Sequence, residues 1–262
     1  MRRGGLFLSC LLLLSSALQA EVKTKEIKYQ DGGVECHGFL AWDDAVSGMR
    51  PGVLVVHEWW GLNDYARERA KMLAAEGYLA FACDMYGEGK LAAHPKEAGE
   101  MATKVRSNVD AWVKRAKVGL EVLTSQPECD KTKLAAIGYC FGGSTAIQLA
   151  YHGADLDAVA SFHGALPVPT PEQAALVKTN KTTLLICHGS EDAFIPEETC
   201  QKVRKALDTA GADFEMVYYG HARHSFTVKS ADLHGIDGMR YNAEADQRSW
   251  NRMLALFREK LK

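Results

Sequence analysis

The chain has 262 residues, of which 47% are hydrophobic and 24% charged, and its formal net charge is −2. This length and composition predict one folded domain with a buried core and exclude a fibrous or largely disordered chain. The weak acidic balance gives no electrostatic basis for binding nucleic acid or an anionic membrane surface.

Residues 1–20 predict a secretory signal. Arg2 and Arg3 form the charged start, residues 6–14 are apolar, and small residues lead to Ala17 and Ala20, after either of which cleavage would occur. An uncleaved anchor is the alternative, but the apolar block is well short of the ~20 residues that span a bilayer. We therefore expect residues 21–262 to form one exported domain, periplasmic or secreted, without membrane association after cleavage.

Seven cysteines occur, at positions 10, 36, 83, 129, 140, 187 and 200. An oxidising compartment favours disulfides. If Cys140 must remain a thiol, an odd number is left outside the signal, and Cys83 and Cys187 lie in apolar runs where free buried cysteine is common. The spacing assigns no pairing.

The pattern of elements predicts an α/β fold. Residues 22–29 and 34–42 alternate around the turn Asp31-Gly32-Gly33, which indicates a hairpin. The further predicted strands are residues 52–57, 78–83, 134–139, 156–162, 183–187 and 214–218. The predicted helices are residues 64–75, 95–125, 144–150, 197–210 and a last one from about 242. This alternation indicates a mainly parallel sheet with helices on both faces, which binds ligands beyond the carboxyl ends of its strands.

The most informative segment is GYCFGG, residues 138–143. A strand, a Gly-x-nucleophile-x-Gly turn and a helix in that order form the nucleophile elbow of α/β-hydrolases. The nucleophile position holds Cys140 instead of serine. A lone cysteine at a strand end is often only a small buried hydrophobe, but the flanking glycines favour a functional cysteine here.

Polar residues at other strand ends complete a candidate catalytic triad. Cys140, Asp192 and His224 follow the order nucleophile, acid, histidine of α/β-hydrolases. Asp192 has an alternative reading as the N-cap of the helix that follows it, and His221 competes with His224.

These residue types suit nucleophilic catalysis. A cysteine thiolate attacks a carbonyl, a histidine takes and returns the proton, and an aspartate orients the histidine. By position, the backbone N–H groups of Phe141 and Trp59 would form the oxyanion hole. Trp60 and Tyr86 either line the substrate pocket or simply pack, and the sequence does not separate these readings.

No metal or organic cofactor is expected. The pair His221-x-x-His224 has no cysteine or carboxylate at a structural-zinc spacing, and His57-Glu58 lacks the second histidine of a zincin motif.

Four motifs together resemble the dienelactone hydrolase (carboxymethylenebutenolidase) family. They are HEWWGLN (57–63), GYCFGG (138–143), HGSED (188–192) and ARHSF (222–226). The resemblance covers nearly all of the mature chain and implies a single-domain α/β-hydrolase fold. It maps the family's triad onto Cys140, Asp192 and His224. It maps the family's conserved glutamate, which contacts the resting cysteine and helps to generate the thiolate, onto Glu58.

One position departs from the family pattern. The best-studied members bind the substrate carboxylate with arginines, one of them four residues beyond the catalytic histidine. That position is Val228 here, followed by Lys229. Lys104 and Arg106 are candidates only for a second cation. A bidentate carboxylate clamp is therefore not supported.

We therefore expect a monomeric hydrolase that cleaves a lactone or small carboxylic ester through a cysteine thioester. Cys140 would be the nucleophile, His224 the base, Asp192 its orienting partner and Glu58 the group that primes the thiol. An exported ligand-binding or thiol-sensing protein on the same fold is the alternative. A serine esterase using Ser144 or Ser190 is a third, disfavoured because neither serine is central in the elbow.

Overall fold

The structure is a computed structural model that describes residues 21–261, so the predicted signal lies outside the described residues. Eight strands form a single sheet within this range. They are β1 (Val22–Asp31), β2 (Val34–Asp43), β3 (Arg50–Val56), β4 (Leu79–Cys83), β5 (Cys129–Tyr139), β6 (Ala158–Phe162), β7 (Thr183–Gly189) and β8 (Phe214–Tyr219).

The sheet is mainly parallel, as predicted. Its strand order is β1-β2-β4-β3-β5-β6-β7-β8. β1 and β2 form the predicted antiparallel hairpin, and β2 also pairs antiparallel with β4. All remaining pairs are parallel, so the carboxyl ends of β3 to β8 meet at one edge. Because β3, β4, β6, β7 and residues 134–139 of β5 are almost fully buried, these segments read as continuous apolar runs in the sequence.

Seven α-helices lie within the described residues. They are α1 (Asp64–Ala75), α2 (Pro95–Arg106), α3 (Val109–Thr124), α4 (Phe141–Tyr151), α5 (Pro171–Thr179), α6 (Glu197–Ala210) and α7 (Ala243–Lys260). Two apolar cores cover the two faces of the sheet: α1 and α7 contribute to one, and α3 to α6 contribute to the other. The predicted layer of helices on each face is confirmed.

The helix predicted over residues 95–125 is wrong as a single element. It is broken between α2 and α3, where the Asn108 side chain accepts a hydrogen bond from the Ala111 N–H and caps the second helix. The helix α5 was not predicted. It begins at a capping box in which Thr170 and Gln173 exchange hydrogen bonds, a signal that was present in the sequence.

The helix α4 is buried along its whole length, which explains its apolar composition. It runs from the carboxyl end of β5 in the middle of the sheet and so places the elbow at the edge where the strand ends converge. None of the helices between residues 21 and 261 is both long enough and apolar enough to cross a bilayer.

Candidate active site

The segment between β5 and α4 is a strained nucleophile elbow. Cys140 has φ 52° and ψ −112°, a backbone conformation that non-glycine residues rarely adopt. A Cβ at Gly138 would lie 2.0 Å from the Gly142 carbonyl oxygen, and one at Gly142 would lie 2.1 Å from the Val56 oxygen. The turn therefore requires both glycines, and it leaves Cys140 partly exposed above the sheet.

Asp192 and His224 meet beside the elbow. The His224 Nδ1 lies 2.8 Å from Asp192 Oδ2, and the aspartate side chain is fully buried. The other oxygen, Oδ1, accepts the Phe194 N–H at 3.0 Å. The histidine is held through its own backbone, because its N–H donates to the Gly238 carbonyl and its carbonyl accepts from the Arg240 N–H. Its Nε2 is the ring nitrogen that remains for Cys140.

The surroundings of His224 favour its charged form. Burial acts to lower its pKa, but the negative charge available at Cys140 and hydrogen bonds with Asp192 and Cys140 outweigh burial. The result is a pKa raised to about 10. The structure therefore brings the three predicted triad residues together, and the contacts of His224 with Cys140 and Asp192 favour its imidazolium form.

Glu58 is a buried carboxyl next to the triad. Burial raises its pKa to about 7, while the charge of His224 and a hydrogen bond from Ser225 act in the opposite direction. That bond runs from Ser225 Oγ to Glu58 Oε1 over 3.1 Å. Among the described residues no hydrogen bond joins Glu58 to Cys140, so the contact with the resting cysteine that the family resemblance implied is replaced here by Ser225. The five residues Glu58, Cys140, Asp192, His224 and Ser225 are called the catalytic cluster below.

The two backbone N–H groups of the predicted oxyanion hole are available as donors. Within residues 21–261, neither the Phe141 N–H nor the Trp59 N–H donates to a protein acceptor. Phe141 opens α4, where the first N–H groups have no partner in the helix. The Trp59 carbonyl accepts a 2.8 Å hydrogen bond from the Tyr86 hydroxyl, which fixes that peptide. Free donors at these two positions are what an oxyanion requires.

The pocket residues and the competing histidine take different places. Tyr86 lies 5.7 Å from the Phe141 ring, close to the elbow. Trp60 is buried and stacks on His234 with ring centroids 4.2 Å apart. His221 lies outside the catalytic cluster, because its ring is exposed and contacts Glu191.

His57 and the two alternative serines have structural partners. The His57 ring binds the Glu58 carbonyl and accepts the Met85 N–H, so it ties the ends of β3 and β4 together. Ser144 Oγ lies 3.4 Å from the Cys140 carbonyl, and Ser190 accepts the His221 N–H. Neither serine has a hydrogen bond to His224 among those of the described residues.

A second buried polar group lies behind the triad and was missed by the sequence reasoning. Thr227 Oγ1 contacts the Tyr65 hydroxyl at 2.6 Å and His163 Nε2 at 2.7 Å. Arg69 donates to the Thr227 carbonyl at 2.7 Å and forms a largely buried ion pair with Asp246. These five residues are called the support cluster. His163 also packs edge-on against His224, with ring centroids 5.3 Å apart.

A pattern in the sequence could have identified one residue of the support cluster, His163. His163 is a polar residue directly after a buried strand, the same pattern that identified the other strand-end residues. Arg69 and Asp246, by contrast, read as ordinary polar positions of amphipathic helices.

All six cysteines in residues 21–261 are free thiols. Five are buried, and burial raises the pKa of Cys36 and Cys129 to about 11 and that of Cys187 to about 12. Only Cys140 among them is partly exposed. In the described part of the chain no group of three or more His, Cys, Asp or Glu side chains could hold a metal ion.

The site opens next to a cavity of about 310 Å³ whose lining includes Arg106, Ser144 and Phe194. The Arg106 guanidinium lies over the Phe141 ring, 5.2 Å from its centroid. Val228, which stands at the family's arginine position, is buried, and Lys229 beside it is exposed.

Comparison with known proteins identifies relatives over almost the whole domain. The model of the dienelactone hydrolase family matches residues 36–261. A "Putative carboxymethylenebutenolidase" of Yersinia pestis is 30% identical over 86% of this chain and 84% of its own.

Two solved structures share the fold. A dienelactone hydrolase-like promiscuous phosphotriesterase from metagenomic libraries is 38% identical, with a TM-score of 0.88 over 92% of this chain and 99% of its own. A "Putative Dienelactone Hydrolase" from Klebsiella pneumoniae is 26% identical, with a TM-score of 0.77 over 91% of this chain and 99% of its own.

Proposed function

The chain belongs to the dienelactone hydrolase family and is a hydrolase of the lactone and ester type, and we propose that it works through a thioester on Cys140. The observation that carries this proposal is the arrangement at the elbow. A partly exposed cysteine stands at the amino end of a buried helix, beside a histidine whose other nitrogen is 2.8 Å from a buried aspartate.

In this mechanism His224 Nε2 takes the proton of the Cys140 thiol, and the thiolate attacks the ester carbonyl carbon. The negative carbonyl oxygen is stabilised by the N–H groups of Phe141 and Trp59. As the intermediate collapses, the imidazolium gives its proton to the leaving alkoxide, and the acyl group remains on sulfur. A water molecule deprotonated by His224 then cleaves the thioester, which releases the acid and restores the thiol.

Glu58 is the second group that can exchange the thiol proton in this proposal. Its pKa of about 7 is near neutral pH, where a carboxyl group can both hold and release a proton. Ser225, the residue next to His224, links it to the histidine segment. A resting thiol that becomes a thiolate only when substrate enters would be protected from oxidation. That protection would matter in an exported protein, and export through residues 1–20 remains part of the proposal.

The proposed substrate is a lactone or small carboxylic ester. Val228 gives no support for a clamp at the family's arginine position, whereas Arg106 lies over the ring of the residue that follows the nucleophile. A substrate carboxylate would therefore be bound by Arg106. A phosphotriester is a second candidate substrate, because the structural relative at 38% identity is described as a promiscuous phosphotriesterase.

The test is a panel of carboxylate-bearing lactones, neutral short-chain esters and one phosphotriester, measured on wild type, Cys140→Ala and Cys140→Ser. We expect Cys140→Ala to lose at least about 10³-fold in kcat/KM, and rapid quenching with mass spectrometry to detect an acyl group on Cys140 in the wild type. Cys129→Ala is the matched control, because that cysteine lies at the opposite end of β5.

Full turnover by Cys140→Ala would exclude the proposed nucleophile. A wild type that turns over no member of the panel but binds one of them would favour the ligand-binding or thiol-sensing alternative. A preference for lactones that carry a carboxylate, lost in Arg106→Met, would assign the carboxylate contact to Arg106.

A further inference from the structure

The cavity beside the elbow is mostly apolar. Seven of its ten lining residues are apolar, including Trp112, Leu166, Phe194 and Ile195. Its volume of about 310 Å³ is at the lower end of the range of small-molecule sites, and a few polar groups in a mostly apolar lining are typical of them. This composition suits a compact apolar group.

The walls of the cavity touch the catalytic cluster at two points, and they touch Phe141, the residue after the nucleophile, at a third. Ser144 Oγ is 3.4 Å from the Cys140 carbonyl. The Trp112 ring stacks on Phe141 with ring centroids 5.8 Å apart, and Phe194 meets His224 edge-on with ring centroids 5.1 Å apart. The cavity is therefore close enough to Cys140 for one substrate molecule to place its ester at the sulfur and a substituent in the cavity.

Phe194 forms the border between the cavity and the catalytic histidine. Its backbone N–H donates to Asp192 Oδ1, so the triad aspartate itself fixes the position of this residue. Half of its surface is exposed to solvent. An exposed aromatic side chain that lines a cavity is a surface that a bound ligand can cover.

The charge of the cavity lining limits which charges a bound group can carry. Arg106 is the only charged residue among those that line it. Within residues 21–261 this arginine forms no ion pair. A cationic group would be repelled there, whereas a neutral or anionic group would be accepted.

We propose that this cavity binds an apolar alkyl or aryl group attached to one side of the scissile ester, and that Phe194 and Thr199, which both line it, select for that group. The proposal rests on the proposed function and goes beyond it by naming the substrate class: esters with a compact apolar substituent, neutral or anionic but not cationic. Thr199 is half-buried on α6 and faces the cavity, so a larger side chain there would fill the space.

The first experiment measures kcat/KM for two ester series on the full mature chain. One series lengthens the acyl group, from p-nitrophenyl acetate to the octanoate, and the other lengthens the alcohol, from methyl acetate to octyl acetate. Each methylene that becomes buried in the cavity should raise kcat/KM roughly fourfold. We expect one of the series to rise at least about tenfold with length in the wild type, and that rise to be lost in Thr199→Phe and reduced in Phe194→Ala.

Met49→Ala is the matched control. Met49 is also an exposed apolar residue, at 69%, but it lies in the segment between β2 and β3 and does not line the cavity. The length dependence in this variant should equal that of the wild type. Thermal unfolding of each variant checks that Thr199→Phe is folded before its kinetics are compared.

A second experiment keeps the test independent of turnover. Titration calorimetry with octanoate and with acetate on Cys140→Ala should show tighter binding of octanoate, and adding Thr199→Phe should abolish the difference. Equal affinity for the two acids together with length-independent kinetics in both series would overturn the proposal. In that outcome the loss of turnover in Cys140→Ala would still support the thioester mechanism, so the two claims fail separately.

Discussion

The catalytic cluster and the support cluster are both polar and largely buried, and they are adjacent in the chain, since Ser225 belongs to one and Thr227 to the other. They differ in how their charges are balanced. In the support cluster Arg69 is paired with Asp246, and His163 is held by Thr227. In the catalytic cluster the Glu58 carboxyl has a single hydrogen bond, from a neutral hydroxyl.

This difference determines which groups can exchange protons. Burial lowers the pKa of His163 well below its usual value, so that ring stays neutral. Burial alone would lower the pKa of Arg69, but Tyr65, Tyr139 and Asp246 raise it instead, so its charge is permanent. The pKa of Glu58, by contrast, is about 7. A buried group that titrates near neutral pH is what acid–base chemistry requires, whereas a buried group fixed in one state serves structure.

Of the substitutions in the two clusters, the one that removes the charge of Asp192 should have the largest effect, and that effect should be on kcat/KM. Asp192→Asn keeps the size of the side chain but no longer stabilises the His224 imidazolium or its tautomer. We expect kcat/KM for a neutral ester to fall about 10³- to 10⁴-fold. Steady-state kinetics of ester hydrolysis measure this loss. The control is Glu191→Gln, because Glu191 is the exposed neighbour of Asp192 and contacts His221 instead of His224. A loss of less than tenfold would contradict the role of Asp192.

Breaking the charge pair of the support cluster should mainly reduce stability. Arg69→Met leaves Asp246 without its buried partner, and we expect the free energy of unfolding to fall by about 3–5 kcal/mol. Urea unfolding measures it. The control is Arg67→Met on the same helix, whose partner Glu26 is exposed and whose loss should change stability by about 0.5 kcal/mol or less. An equal loss of unfolding free energy in Arg69→Met and Arg67→Met would show that the ion pair of Arg69 contributes no more to stability than an exposed one.

The titration of Glu58 should give a smaller, pH-dependent effect. Its pKa is raised in the folded protein above its ordinary value of 4.5, so its neutral form favours folding below about pH 4.5. That contribution decreases as pH rises and is lost above about pH 7. Relative to wild type, Glu58→Gln should therefore gain stability between pH 5 and pH 8, by at most about 3 kcal/mol.

Urea unfolding at the two pH values measures this change. Glu198→Gln is the control: a hydrogen bond from Lys202 lowers the pKa of Glu198, so this carboxyl stays ionised in the folded protein at both pH values and its replacement should give no comparable pH-dependent change. If the stability difference between Glu58→Gln and wild type does not change with pH, Glu58 does not titrate in this range.

Local patterns in the sequence were sufficient for most of the fold and for the order of the candidate triad. Apolar runs marked the buried strands, because a strand covered on both faces has no polar face. The elbow was marked by the glycines at 138 and 142, because the backbone passes too close to its neighbours there for a Cβ. The break at Asn108 was missed because the apolar stripe continues across it, and only the capping bond separates α2 from α3.

The choice between His221 and His224 was decided by the tertiary structure. Both histidines follow the same strand, but the His224 ring contacts Asp192 whereas the exposed His221 ring contacts Glu191. The partner of Glu58 was decided in the same way, since Ser225 is 167 positions away in the chain.

The sequence by itself determined the fold class, the elbow with its cysteine and the order of the triad, because these depend on local periodicity and on short segments of chain. The tertiary structure decided which buried groups carry charge at neutral pH and which surface faces the nucleophile. Those properties depend on contacts between residues far apart in the chain, such as Arg69 with Asp246 and Phe194 with His224. The pKa of a buried group follows from its neighbours in space, and a one-dimensional pattern does not contain them.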